Sequence, residues 1–411
     1  MATEKRTRRY ALGGVVIVYL FVLLARFAFH KEPLIPEQSR EPGQPPAQHN
    51  ASSLEPAAEL PTETTTNLPS NDSITTNAAV LYRQAFELFD ALSKEQKELV
   101  SSWRTNVDAS IEAELCQKTQ PICDLMHQAL TATSCDWGID PITFGTQMPY
   151  LSPARNIARA AIWNAAHCRS NDVTGATEDV LATLQVGHAV SRSALIGCLV
   201  DMSLQNMVSS YVTQHLGLFS GADGQRLAVA FADPSYGEVP SRAMEQEADI
   251  MERMAVELAS LPDADIEKGL SALGLDASLH PDSPELDRAA ELAWLNQVAD
   301  SERELAKALA SSSEDDYEAC LKHSTELQVS NPLAKMLTVD YDKFVDKARY
   351  TEINRAMVVA GLAVAENGTE ALAAHPDPAS GKPFVYTKTD DGFELQSSFV
   401  FNDEPYKIRF K

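Results

Sequence analysis

The clearest hydrophobic pattern in this chain is an apolar run near its start. Residues 10–29 read YALGGVVIVYLFVLLARFAF, and the one charged side chain, Arg26, lies near the far end of the run. At about 1.5 Å per residue, a helix of this length spans roughly 30 Å, the thickness of the hydrocarbon core of a bilayer. Bulky residues stand at the end of the run, where a signal-peptide cleavage site needs small ones. We therefore predict a transmembrane helix that is retained as an anchor and contacts the lipid bilayer.

The distribution of charge predicts the orientation of this anchor. Four basic residues precede the run: Lys5, Arg6, Arg8 and Arg9. The positive-inside rule then makes residues 1–9 a cytoplasmic tail and places the rest of the chain outside, in the periplasm of a bacterial cell. Six of the 34 basic residues and one of the 58 acidic residues lie in residues 1–31, so the exported part carries 28 against 57. Such an acidic surface repels phosphate backbones, and we predict no nucleic-acid partner.

Residues 30–76 have the composition of a disordered linker. They are rich in Ser, Thr and Glu, lack aromatic residues, and contain eight prolines: Pro33, Pro36, Pro42, Pro45, Pro46, Pro56, Pro61 and Pro69. A segment of this kind cannot bury enough apolar area to offset the entropy of its chain. We predict a stalk between the bilayer and a folded domain.

Helical periodicity begins at residue 77 and continues to about residue 375. Apolar residues recur at steps of three and four from Val80 to Leu92, as on one face of an amphipathic helix. Ser93 and Gln96 have the spacing of a capping box, which predicts a second helix with Val100, Trp103, Val107 and Ile111 facing inward. Pro121 suits the first turn of a third helix.

Further helices are predicted downstream of this third helix, with a possible division into two lobes near residues 262–283. Ser152 and Pro153 resemble the cap and first residue of a helix. The predicted helical segments are 153–168, 176–191, 194–217, 223–232, 239–260, 284–310, 314–329 and 340–366.

The tail of the chain, residues 376–411, changes from helical to strand periodicity. Residues 384–388 and 393–396 alternate around the turn sequence Thr389-Asp390-Asp391-Gly392, which is typical of an antiparallel β-hairpin. Residues 406–410 are a third strand candidate. Strands this short are stable only when packed, and we expect them to lie on the 340–366 helix. The predicted fold class is therefore mainly α, with a multi-helix domain and a small β-hairpin at its end.

Two stretches of the chain carry a resemblance to known proteins. One runs from Asn77-Ala78-Ala79-Val80-Leu81-Tyr82 through Cys135-Asp136-Trp137-Gly138 to the helices of 153–217. The other is Asp377-Pro378-Ala379-Ser380-Gly381-Lys382-Pro383-Phe384-Val385-Tyr386, of the form Asp-Pro-x-Ser/Thr-Gly-Lys-Pro-x-x-Tyr. The chain resembles an uncharacterised group of bacterial membrane-anchored helical proteins, and its closing hairpin is similar to the tail of pseudopilin-like proteins. The resemblance implies a helical fold and an envelope location, and it carries no catalytic residue.

The six cysteines allow disulfides in an exported domain. Cys116 and Cys123 are seven residues apart, which is about 10 Å on a continuous helix and too far for a bridge. A helix break at Pro121 would bring them together, so this pair is one prediction, and Cys168 with Cys198 on neighbouring helices is a second. Buried free thiols are the alternative.

No motif in the chain predicts a catalytic, cofactor-binding or metal-binding residue. Two pairs have ligand-like spacing on a helix, Asp124 with His127 and His323 with Glu326, and we interpret them as solvated or capping residues. An acidic stripe is interpreted as a solvated helix face; it consists of Glu245, Asp249 and Glu252. The adjacent pair His167 and Cys168 cannot form a dyad, because neighbours on a helix point about 100° apart.

The layout of anchor, stem and exported domain leaves two function classes open. The favoured one is an interaction or scaffold protein at the cell envelope. The alternative is an envelope hydrolase or a type II-anchored transferase, because Asp263-Ala264-Asp265 and Asp340-Tyr341-Asp342 match the Asp-x-Asp pattern of some glycosyltransferases. In a glycosylating host, Asn50, Asn71 and Asn367 are sequons. The chain lacks the alternating strands and helices of those transferases before residue 380.

Overall fold

The computed structural model describes most of the chain from residue 77 onward. The described residues are 77–103, 106–139, 147–169, 172–192, 194–260, 288–311, 319, 322, 326, 341–401 and 403–411. The predicted cytoplasmic tail, transmembrane segment and stalk lie outside these residues, as do the 314–329 helix for the most part and the lobe division near 262–283. None of the helices within the described ranges is both long enough and apolar enough to cross a membrane.

The described residues form a mainly helical domain with a small sheet at its end, as the sequence predicts. The α-helices are α1 (Ala78–Asp90), α2 (Lys94–Ser101), α3 (Ala109–Leu130), α4 (Leu151–Trp163), α5 (Val173–Ser191), α6 (Leu195–Gln214), α7 (Gly221–Ala232), α8 (Val239–Ser260), α9 (Arg288–Ser311) and α10 (Tyr341–Asn367). Short 3₁₀ segments cover Leu216–Leu218, Pro234–Tyr236 and Thr369–Ala374, and a π-helix covers Asn164–Cys168.

Local capping explains where the first helices begin. Asn77 caps α1 by accepting the Ala79 N–H, and the capping box of Ser93 and Gln96 at α2 is confirmed. Asp108 caps α3 by accepting the Ser110 N–H. Side-chain oxygens at these positions satisfy backbone N–H groups that have no partner inside the helix.

Two sequence expectations about α2 and α3 are wrong. The second helix ends at Ser101 and does not reach Ile111, which lies on α3 with 42% of its surface exposed. Pro121 lies in the interior of α3 and does not begin a helix. The start of α3 is set by the Asp108 cap thirteen residues earlier, and the buried residues Leu115, Ile122 and Met126 hold the helix on both sides of the proline.

The main hydrophobic core lies where α1, α3, α4, α5 and α6 meet. Small residues let these helices approach closely, and Ala158, Ala161 and Ala176 are all fully buried. Trp163 and Tyr211 are the large side chains at the centre of this core. A second cluster joins α8 and α9 to the starts of α6 and α10, and it includes Leu195, Leu305 and Phe344.

The tail forms a three-stranded antiparallel sheet in the order β1–β2–β3, which confirms the predicted hairpin and third strand. The strands are β1 (Val385–Thr389), β2 (Gly392–Phe401) and β3 (Glu404–Phe410). As expected, the sheet packs on the last long helix: a Cβ atom added at Gly361 of α10 would lie 2.1 Å from Cε1 of Phe410 on β3. Only glycine allows this close approach of helix and strand.

Candidate functional site

The cysteines pair differently from either predicted bridge. Cys116 on α3 is bonded to Cys168 at the end of the π-helix, with their Cα atoms 5.6 Å apart. Cys123 and Cys198 are buried free thiols, and Cys135 is a half-buried free thiol. Because α3 continues through Pro121, Cys123 stays a full two turns from Cys116 and cannot reach it. Cys320 lies outside the described residues.

The segment that carries Cys168 belongs to a buried polar cluster around Asp179 of α5. This carboxylate is completely buried; it lies 2.8 Å from His127 Nε2 and accepts a hydrogen bond of 2.8 Å from Asn164 Nδ2. Arg169 Nε is 3.7 Å from the same carboxylate. The π-helix begins at Asn164, and such local widening is frequent at functional sites. Here its visible effect is to tie α3, α4 and α5 together.

Of the two ligand-like pairs found in the sequence, the pair that the structure describes in full, Asp124 and His127, has its members directed to different partners. His127 is directed to Asp179, whereas Asp124 is exposed and accepts a hydrogen bond from Gln120 at 2.7 Å. Glu326 is exposed, and His323 lies outside the described residues, as do Asp263, Asp265 and Asp340. Within the described ranges, no group of three or more His, Cys, Asp or Glu side chains is arranged to hold a metal ion.

The acidic stripe on α8 is partly paired. Arg303 of α9 lies 3.1 Å from Asp249 and 2.5 Å from Glu252, so two of the three acidic groups contact the neighbouring helix. Glu245, the third, is exposed. The stripe lies on the surface, and it also contributes to the contact between α8 and α9.

The residues that carry the resemblance have structural roles in this fold. Both Asn77 side-chain groups hold the backbone of Asp136: Nδ2 donates to its carbonyl at 3.0 Å and Oδ1 accepts its N–H at 2.9 Å. Trp137 then stacks on Tyr150 with 4.3 Å between ring centroids. The start of the folded domain, where the predicted stalk would join it, is thereby fixed to the loop before α4.

The closing motif is organised around the buried carboxylate of Asp377. This group accepts hydrogen bonds from the Ala379 N–H and from both the N–H and the hydroxyl of Ser398. Burial favours a higher pKa for Asp377, but the bonds from Ser398 and Ala379 outweigh it and lower the pKa. The motif joins α10 to the sheet, and its contacts give it a folding role.

An open cleft of about 350 Å³ lies between the end of α3, α5 and α7. Its apolar wall consists of Leu130, Leu181, Leu184, Ala230 and Tyr236. Its polar groups are Glu178, Gln185, Arg226 and Asp233. Arg226 Nη2 lies 2.5 Å from Glu178 and the guanidinium is 3.5 Å from Asp223, so one ion-pair cluster flanks a mostly apolar surface.

Behind Tyr236, the cleft is supported by a second polar cluster. The Arg355 guanidinium lies 4.6 Å from the centre of the Tyr236 ring, and the His188 ring meets the same ring edge-on at 5.2 Å. Arg355 also donates to the carbonyls of Phe231 and Asp233 at the end of α7, where a cation is favourable. These contacts fix the floor of the cleft.

Asp201 of α6 is the charged group that sequence analysis missed near this cluster. It is completely buried, Gln205 donates to its Oδ2 at 2.9 Å, and no group in the described ranges forms a hydrogen bond with its Oδ1. Burial raises the pKa of Asp201 to about 7, although Gln205 and Arg355 act to lower it. A signal was present in the sequence, because Asp201 is the one charged residue between residues 195 and 214.

Comparison of the chain with protein-family models, with curated proteins and with solved structures finds no match.

Proposed function

We propose that this protein is a single-pass membrane protein at the cell envelope, with a cytoplasmic N-terminus and an exported helical domain that binds a protein partner. The observation that carries the binding role is the cleft between α5 and α7. Its wall of leucine, alanine and tyrosine side chains, bordered by the Glu178–Arg226 pair, has the apolar centre and polar rim of protein recognition surfaces. Grooves between helices commonly accept an apolar helix face or an extended segment.

The Cys116–Cys168 disulfide supports the exported location. Disulfides persist in oxidising compartments and are rare in the cytosol, where thiols are kept reduced. The strongly acidic exported part agrees with a soluble domain held outside the lipid. The resemblance to membrane-anchored envelope proteins supports the location alone.

The cleft is tested by photo-crosslinking of the full-length chain in the cells that express it. A photoreactive residue replaces Gln185, which lines the cleft and is half-buried, and a matched one replaces Val229 of α7, which is 73% exposed and outside the lining. We expect a discrete covalent adduct from position 185 and none of that mass from position 229. The added charge reversal Arg226→Glu is expected to weaken the adduct, because it breaks the ion pair at the rim.

Absence of an adduct at position 185, or the same adduct from both positions, would count against a partner in the cleft. The enzyme alternative predicts a different outcome. Purified full-length protein would then turn over a substrate without any crosslinked partner, and Arg226→Glu would change the rate and leave crosslinking absent at both positions.

The topology is tested with the sequons of the chain. Asn367 is exposed at the end of α10, so it is accessible to an oligosaccharyltransferase when the domain is translocated. In a glycosylating translation system with microsomes, we expect Asn367 to be modified, with Asn50 and Asn71 as further acceptors. Thr369→Ala removes the 367 sequon without changing the asparagine and should remove one glycan. A translocation-competent system that leaves every sequon unmodified would contradict the proposed orientation.

A further inference from the structure

Glu302 of α9 is a buried carboxyl group, and within the part of the chain that the structure describes no side chain forms an ion pair with it. Its side chain is 2% exposed, Tyr341 of α10 donates a hydrogen bond to its Oε1, and its Oε2 has no hydrogen-bond partner among the described residues. It lies at the second hydrophobic cluster, beside Leu305 and Tyr341. A carboxylate with an unmatched oxygen is costly in such surroundings, whereas a neutral carboxylic acid is far less so.

A second carboxyl group, Glu247 of α8, acts electrostatically on Glu302 across the helix pair. Two contacts on either side show that these helices meet here: Ser241 donates to the Ala306 carbonyl at 2.9 Å, and Arg303 reaches Asp249 at 3.1 Å. The backbone N–H of Leu195, in the first turn of α6, acts to lower the pKa of the Glu247 carboxyl group. Because Ala194 gives α6 no side-chain cap, this helix N-terminus favours a negative charge on Glu247.

The other charged groups around Glu302 do not neutralise it. Arg303, the next residue on α9, points to Asp249 and Glu252 on α8, with distances of 3.1 Å and 2.5 Å. From α10 the facing group is the Tyr341 hydroxyl, which is a donor without charge. Glu247 is half-buried and Glu302 is 2% exposed, and two carboxyl groups that repel each other at such a site cannot both ionise at low cost. As pH rises, the first to ionise is expected to be Glu247, the more exposed of the two, at the helix N-terminus, whereas Glu302 stays neutral to higher pH.

We propose that Glu302 is a proton-dependent latch: protonated, it lets α8 and α9 dock on α6 and α10, and ionised, it loosens them. An exported domain experiences the pH outside the cytoplasm, so the regulatory meaning of the latch rests on the proposed topology. The test of the latch depends neither on that topology nor on the cleft. Burial, and then the neighbouring Glu247, raise the pKa of Glu302 well above its usual range, and burial raises the pKa of Glu247 to about 7.

The sign of the pH effect follows from these raised pKa values. In the docked state Glu302 holds a proton that it releases when the helices open and water reaches it. Opening is therefore favoured as pH rises, by up to about tenfold in the equilibrium constant per pH unit for each proton released. The contribution of Glu302 to the stability of the docked state is fully present below the ordinary pKa of a glutamate. It is lost as pH rises through the raised pKa of Glu302.

Hydrogen exchange of the full-length protein in detergent tests this prediction. The opening equilibrium of amides in α8 and α9, corrected for the pH dependence of intrinsic exchange, is measured between about pH 5.5 and 7.5. We expect wild-type opening to increase with pH, by up to about tenfold per unit for each of the two glutamates that is protonated in the docked state. Glu302→Gln imitates the neutral acid. It should reduce the number of protons released on opening by one, and the slope of opening against pH should fall accordingly. Glu245→Gln on the exposed face of α8 should keep the wild-type dependence.

Wild-type pH dependence in Glu302→Gln would overturn the latch. A second measurement holds even where that variant folds poorly. Infrared spectra of wild-type protein with isotope-labelled glutamate should show a carboxylic acid carbonyl band at neutral pH, retained in Glu247→Gln. Absence of this band at neutral pH also overturns the proposal. Neither result bears on crosslinking at the cleft, so the latch and the proposed function fail separately.

Discussion

Replacing Trp137 with alanine is expected to lower the free energy of unfolding by roughly 3–5 kcal/mol, the usual cost of deleting a buried tryptophan. The indole is 8% exposed and stacks on Tyr150 and Tyr82, with ring centroids 4.3 Å and 5.9 Å away. Its Nε1 donates to the Ala189 carbonyl of α5 at 3.1 Å. One side chain thus joins α1, α5 and the segment before α4. Urea unfolding followed by circular dichroism measures the loss.

Two further variants separate the parts of this contact. Trp137→Phe keeps an aromatic ring but removes the donor to Ala189, and we expect a smaller loss that includes about 1 kcal/mol for the hydrogen bond. Leu88→Ala on α1 is a matched surface control, because Leu88 is 39% exposed, and it should change stability by less than about 0.5 kcal/mol. A loss for Trp137→Ala as small as that of the control would show that the stacked rings do not hold these elements together.

Elements with a local cause could be predicted from the sequence. The capping box of Ser93 and Gln96 requires only residues three positions apart, and it is present. The hairpin between β1 and β2 follows from the alternation around Gly392, and its register pairs Thr389 with that glycine. Most of the helices from α4 to α10 begin and end within a few residues of the bounds that their apolar periodicity predicts. In each case the information lies within one turn or one strand pair.

Features that depend on distant contacts could not be predicted in this way. The disulfide joins residues 52 positions apart, and only the packing of α3 against the π-helix brings them together. The predicted bridge between Cys116 and Cys123 is wrong because it requires Pro121 to break α3, and the helix continues through this proline. A proline in a helix interior costs one hydrogen bond, and burial of the residues around it can compensate. That compensation is a tertiary effect.

The buried carboxyl groups show the same limit. In the sequence, Asp179 follows the charged residue Glu178, and Glu302 precedes the charged residue Arg303. The pattern of polar positions therefore predicts that both carboxyl groups are solvated. In the fold, Asp179 gains partners from α3 and from the π-helix, whereas Glu302 faces a tyrosine and a second glutamate. The first is satisfied by its contacts and the second is not. The proposed pH-dependent role of Glu302 follows from this difference, as does the structural role of Asp179.

The Cys116–Cys168 bond is expected to contribute about 4 kcal/mol to stability, through its effect on the unfolded chain. It closes a loop with a sequence separation of 52, and loop-closure entropy gives about 4 kcal/mol for a loop of that size. Unfolding in urea, with and without a reductant, measures this contribution in the full-length protein. The wild type should lose stability in the reductant by this amount, and it should release two further thiols when it is denatured and reduced.

The double variant Cys116→Ala/Cys168→Ala separates the bond from a general effect of the reductant. It should lose about the same 4 kcal/mol without reductant and nothing more with it, because the loop is already open. Cys123→Ala removes a buried thiol on the same helix but leaves the bond intact, so its stability should still fall when the reductant is added. If the reductant leaves the wild type as stable as before, the bond does not restrict the unfolded chain, and the argument from this disulfide to an oxidising compartment loses its support.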